Sequence, residues 1–139
     1  MKKLLLLGFL IPSVLFAQVI PKKANTIIIT DTLSQEHLYN KITDLLFENG
    51  YGILNTDKAQ GTITTTQRAM RTGTVALVFL IKDKRVILRG NAKGLDEISG
   101  DDLFAIEYRG MKGSIYRDAW DEMQKVSDNI PGTKEYLVK

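Results

Sequence analysis

The 139-residue chain contains no cysteine. That absence excludes disulfides, thiolate catalysis and cysteine-based zinc sites, although an oxidising compartment would permit the first of these. It also excludes the covalent lipid anchor of a bacterial lipoprotein, which is carried by an N-terminal Cys. Histidine is almost as scarce. His37 stands alone, in the first turn of an expected helix, where a surface residue is the plainer reading than a catalytic base. The nucleophile pattern Gly-x-Ser-x-Gly is missing too, and no Ser or Asp occupies a recognisable nucleophile motif. The chain is therefore expected to have no catalytic residue, no metal ligand set and no cofactor site.

A membrane-spanning run is also lacking. The longest apolar stretch, Leu4 to Phe16, is about 13 residues against the ~20 that a spanning helix needs. What is there instead has the parts of an export signal. Lys2 and Lys3 form a basic start, Leu4 to Leu10 an apolar middle, and Val14-Leu15-Phe16-Ala17 ends on a small residue before Gln18. Residues 1–17 are expected to be cleaved after Ala17, which places the rest in the periplasm or outside the cell.

No strong charge excess survives that cut. The segment holds two of the 19 Lys and Arg and none of the 16 Asp and Glu, so seventeen cations face sixteen acids and the formal charge is +1. The overall pI near 9.1 is thus partly a property of the signal. A nucleic-acid binder would want a clustered basic face, and no such partner is expected. The remaining 122 residues amount to one ordinary domain.

Along that domain, residues 18–25 read as a flexible leader and Thr26 to Thr30 as a β-branched strand. Ser34 fits a helix N-cap with Glu36 in the first turn, and Leu33 can staple to Leu38. Leu38, Ile42, Leu45 and Leu46 make an apolar stripe that Asn49-Gly50 ends. Strands are expected at 51–56 and 62–67, with Arg68 to Gly73 as a polar connection. Thr74 to Lys82 has apolar residues on both faces and is placed centrally, with Arg85 to Asn91 as its hairpin partner across Asp83-Lys84. Val86 and Leu88 face one way, and Arg85, Ile87 and Arg89 the other. Residues 94–113, rich in glycine and acids, read as a mobile loop with a short strand or turn near 103–106. A second helix runs from Ser114 to Asn129, with Ile115, Ala119, Met123, Val126 and Ile130 inward and Tyr116 and Trp120 widening that stripe. Pro131-Gly132 stops it, the domain spans 26–130, and 131–139 read as a tail.

The polar groups have ordinary explanations. Asp96, Glu97, Asp101 and Asp102 lack the alternate spacing of an EF-hand and read as a solvated acidic loop. Asp118, Asp121 and Glu122 could pair for glycoside cleavage, yet a wet helix face with Arg117 and Lys125 as i,i+4 partners explains them as well. Lys82 and Lys84 read as protection of a sheet edge.

The run Leu38-Tyr39…Leu45…Asn49-Gly50-Tyr51-Gly52-Ile53…Asp57…Gly61-Thr62-Ile63-Thr64 resembles the start of a family of small secreted bacterial domains with a fold like the TATA-binding protein. It is similar to domains in the accessory lipoproteins of the outer-membrane β-barrel assembly machinery. The resemblance covers about residues 27–92, with 114–130 as the closing helix. It implies an α+β fold: two helices on one face of an antiparallel sheet of four to five strands. It implies no active site, and the missing Cys departs from the lipoprotein members.

The function expected is a non-enzymatic interaction module for a cell-envelope protein. The candidate contacts are Asp96, Glu97, Asp101, Asp102, Phe104, Tyr108 and Arg109 in the loop, and Arg85, Ile87 and Arg89 on the sheet face. The alternative is a carrier of a small apolar ligand, held between helices and sheet near Tyr51, Phe79 and Trp120.

Overall fold

The computed structural model describes residues 18–95 and 102–139. The expected signal segment 1–17 lies outside them. Ten elements follow in order: β1 (Thr26–Thr30), α1 (Gln35–Glu48), β2 (Ile53–Asp57), β3 (Thr62–Thr65), β4 (Arg68–Met70), β5 (Gly73–Lys82), β6 (Arg85–Gly94), β7 (Phe104–Ala105), α2 (Ile115–Asp128) and β8 (Thr133–Leu137).

The β5–β6 hairpin organises the sheet. Its ten residue pairs run from Gly73↔Gly94 to Lys82↔Arg85. Asp83 and Lys84 both have positive φ, 51° and 61°, the condition for a two-residue turn whose twist matches the flanking strands. Period-2 alternation then sends Val75, Leu77, Phe79 and Ile81 of β5, with Val86 and Leu88 of β6, to one fully buried face. The remaining strands add antiparallel neighbours in the order β2-β3-β5-β6-β1-β8.

The sheet has eight strands rather than four to five, because three short ones carry no readable hydrophobic alternation. Residues 68–70, expected as a connection, form β4, which continues the line of β3 along β5. Residues 133–137, expected as a tail, form β8 and pair with all of β1 from Thr26↔Leu137 to Thr30↔Thr133. β7 pairs with Asn91 and Ala92 of β6 in line with β1. Backbone bonds extend that line: Ile106 N–H donates to Gly90 O and Tyr108 N–H to Ala24 O. Gly90 leaves room for this. A Cβ there would sit 2.6 Å from Ile106 Cδ1.

Both helices cover the buried face. Ser34 caps α1 by accepting from His37 N–H, and Leu38, Ile42 and Leu46 are fully buried. Each such side chain is worth about 1.5–3 kcal/mol of burial. Gly50, at φ 74°, ends the helix as its sequence indicated. Ser114 caps α2 by accepting from Arg117 N–H, and α2 buries Ala119, Trp120, Met123 and Val126. Trp120 lies at the centre of that stripe, edge-on to Tyr108 with ring centroids 5.5 Å apart, and 6.1 Å from Tyr136 of β8. Tyr51, Phe79 and Trp120 belong to one continuous core cluster and are at most 3 % exposed.

Candidate interaction surface

The other face of the sheet carries no helix or strand of the described residues. The register arranges it in rows. One row runs Glu135, Ile28, Ile87, Leu80, Thr62 and Asp57 across β8, β1, β6, β5, β3 and β2. The next runs Leu137, Thr26, Arg89, Val78 and Thr64. Beyond the first row lie Arg85 and Lys82. An apolar centre of Ile28, Ile87, Leu80 and Val78 is thus flanked by Arg85 and Lys82 on one side and Arg89 on the other, with Glu135 and Asp57 at the ends of its row. The face is recessed rather than flat. A depression of about 460 Å³ lies over Val78, Leu80 and Ile87, and a second of about 360 Å³ reaches Asn25 and Asn91. Arg89 and Lys139 line both.

The electrostatics of the two faces differ. Around α2 the arginines are paired. Arg68 binds Glu122 at 2.9 Å, Arg71 binds Asp118 at 2.8 Å and Arg117 binds Asp121 at 3.1 Å. Arg109 stands 3.3 Å from Glu107 and 4.0 Å over the Tyr116 ring. On the open face, Arg85 and Lys82 have no carboxylate partner among the described residues. Arg89 donates only through Nε, to Thr26 Oγ1 at 3.0 Å.

The acids once weighed for glycoside cleavage are therefore held by arginines. Of the two expected i,i+4 partners of Asp121, it is Arg117 that binds. Beside them Tyr51 rests under Arg68, 5.1 Å from its ring centroid, with its hydroxyl 3.5 Å from Glu122. Burial, then the Glu122 charge, pushes the phenol up to about 12, so it stays protonated near neutral pH. His37 is exposed, with Nδ1 2.9 Å from Ser34 Oγ. Among the described residues no three His, Asp or Glu gather in a metal-holding arrangement.

The candidate residues separate into two places. Arg85, Ile87 and Arg89 share the open face as their alternation indicated. Asp96, Glu97 and Asp101 lie outside the described residues. Asp102 borders a depression of about 660 Å³ with Thr72, Phe104 and Tyr116. Phe104 and Tyr108 are half-buried on the helix side, Phe104 with its ring 4.9 Å from that of Tyr116. Together with Arg109 they brace α2 and are turned away from the open face. Of Tyr51, Phe79 and Trp120, the residues expected around a carrier's pocket, Phe79 alone lines a depression of the open face.

Sequence reasoning missed Ile28, Glu135, Leu137 and Lys139 as parts of this surface, and Thr26 as the fully buried anchor of Arg89. The signal for Val78 and Leu80 was present in the two-faced apolar pattern of β5. Lys82 and Lys84 sit at the tip of the central hairpin, so protecting a sheet edge does not account for them. Compared with known proteins, the chain matches no family model and no curated protein.

Proposed function

We propose that the chain is a non-enzymatic interaction module working outside the cytoplasm, with the open sheet face as its contact surface for a cell-envelope protein. The observation that carries this reading is the contrast between the faces. One is sealed by two helices and braced by ion pairs; the other holds an apolar row beside Arg85, Arg89 and Lys82, which have no carboxylate partner among the described residues. Such a mixture, recessed and uncovered, is how a binding patch differs from scattered surface apolars. Two helices on one face of an antiparallel sheet also agree with a TBP-like assignment and with kinship to the assembly-machinery domains.

The test is capture from a native cell-envelope extract with residues 18–139, comparing the unaltered chain with Ile87→Asp, whose fold is checked by circular dichroism. A protein retained by the first and lost by the second supports the reading. An identical set retained by both overturns it.

The second reading, a carrier of a small apolar ligand, is favoured by the depression over Val78, Leu80 and Ile87. Its volume falls in the range of small-molecule sites. Native mass spectrometry of the exported protein decides it, through a reproducible mass adduct that Ile87→Asp abolishes.

A further inference from the structure

We infer that the open face recognises an acidic polypeptide segment, gripped by Arg85 and Arg89 on either side of Ile87. The inference rests on the open-face reading and adds the chemistry of the partner. The chain has six arginines. Four of them, Arg68, Arg71, Arg109 and Arg117, stand 2.8–3.3 Å from a carboxylate oxygen. The two without one among the described residues are Arg85 and Arg89, and both lie on this face.

Arg89 is not idle. Its Nε bond to Thr26 fixes the guanidinium stem and leaves the two terminal nitrogens without a partner among the described residues. A guanidinium held in this way presents its terminal N–H groups to a planar anion, and carboxylate fits that fork. Lys82 stands directly across from Arg85 and adds to the same potential. Glu135, opposite Ile28, and Asp57, opposite Thr62, are the acids on these rows, and they sit on the two edge strands away from the arginines.

Three kinds of anionic partner could answer such a face, and the side chains choose between them. Single-stranded nucleic acid is held by bases stacked on aromatic rings. A membrane surface is met by Trp and Tyr at the headgroup level. The rows of this face contain no Phe, Tyr or Trp. They contain Ile87, Leu80, Val78 and Ile28, which suit apolar side chains set between carboxylates. Arg85 and Arg89 are four strand residues apart, about 13 Å. Acids at i and i+4 of an extended segment span that distance, with the residue at i+2 over Ile87.

The experiment places a photoreactive benzoylphenylalanine at position 87 of the full chain, exported by its own cells, and identifies the adduct by mass spectrometry. The expected adduct is a peptide rich in Asp and Glu. Its yield falls at least tenfold in the Arg85→Glu/Arg89→Glu background and persists with Arg85→Lys/Arg89→Lys. A neutral or basic peptide, a lipid or nucleic-acid adduct, or an undiminished yield after charge reversal overturns the inference. A non-acidic peptide adduct leaves the open-face reading standing. Absence of any adduct from position 87, while one forms from position 47 on α1, removes both.

Discussion

The Leu77 backbone N–H donates to the Thr65 hydroxyl at 2.9 Å, at the point where β3 stops pairing with β5 and before β4 begins. The chain bends between Thr65 and Arg68, and a side chain there stands in for a missing ladder bond. Thr65 is 1 % exposed, so no water is at hand to replace it.

Thr65→Val keeps the shape and removes the acceptor. Leaving a buried N–H without a partner costs about 1–3 kcal/mol. Urea unfolding should show a lower midpoint with an unchanged slope, while Thr64→Val, on the open face beside it, should shift the midpoint little. Equal effects of the two would show that the bond contributes nothing beyond packing.

Gly90 offers a second measurement. A Cβ at this position would meet Ala76 O at 2.8 Å and Ile106 Cδ1 at 2.6 Å. Gly90→Val should therefore force Ile106 out of its place and cost about 1–3 kcal/mol or more. Combining it with Ile106→Ala should recover part of the loss, a coupling that a double-mutant cycle reads directly. Strict additivity would place the clash on Ala76 O and Leu77 Cδ2 instead.

Tyr51 gives a prediction in pH. Its phenol is raised from 10 to about 12 by burial and by Glu122. Above pH 10 an unfolded chain loses this proton while the folded one keeps it, so the unfolded state gains. Stability from this group is complete below pH 10 and is lost as pH rises toward 12. Titration followed by phenolate absorbance should show a late component that Tyr51→Phe removes. A titration curve unchanged in that variant would disprove the assignment.

Much of the scaffold was legible because local chemistry and tertiary need agree. Ser34, Gly50 and Ser114 mark helix ends through bonds made within a few residues, and β5 and β6 announce themselves by alternation. β4 and β8 were hidden for the opposite reason. Arg68-Ala69-Met70 and Thr133 to Leu137 bury little, and only a distant strand makes them strands. The same holds for the surface. Alternation put Arg85, Ile87 and Arg89 together, but that the two arginines lack a carboxylate partner among the described residues depends on where Glu107, Asp118, Asp121 and Glu122 fold to. Phe104, Tyr108 and Arg109 looked exposed among glycines and acids, yet a backbone bond to Ala24 and the rings of α2 turn them inward.

Export is the remaining prediction. If residues 1–17 are a signal, protein recovered from outside the cytoplasm should begin at Gln18, as N-terminal sequencing reads. Replacing Leu6 and Leu7 by Arg should hold the full-length chain inside the cell. An intact Met1 on externally recovered protein would contradict the proposed cut.

The first strand of the sheet is flanked by late arrivals. Ile27 is paired on one side by Leu88 and on the other by Tyr136. A chain emerging N-terminus first therefore presents β1 long before either neighbour has been made. Ile27 and Ile29 have nowhere to go until the hairpin forms, and the sheet is not sealed until the last residues join. Such wiring delays cooperative folding until residues 133–137 are available to pair with β1. Any passage through a narrow pore would be made as a loose thread, and assembly would start on the far side.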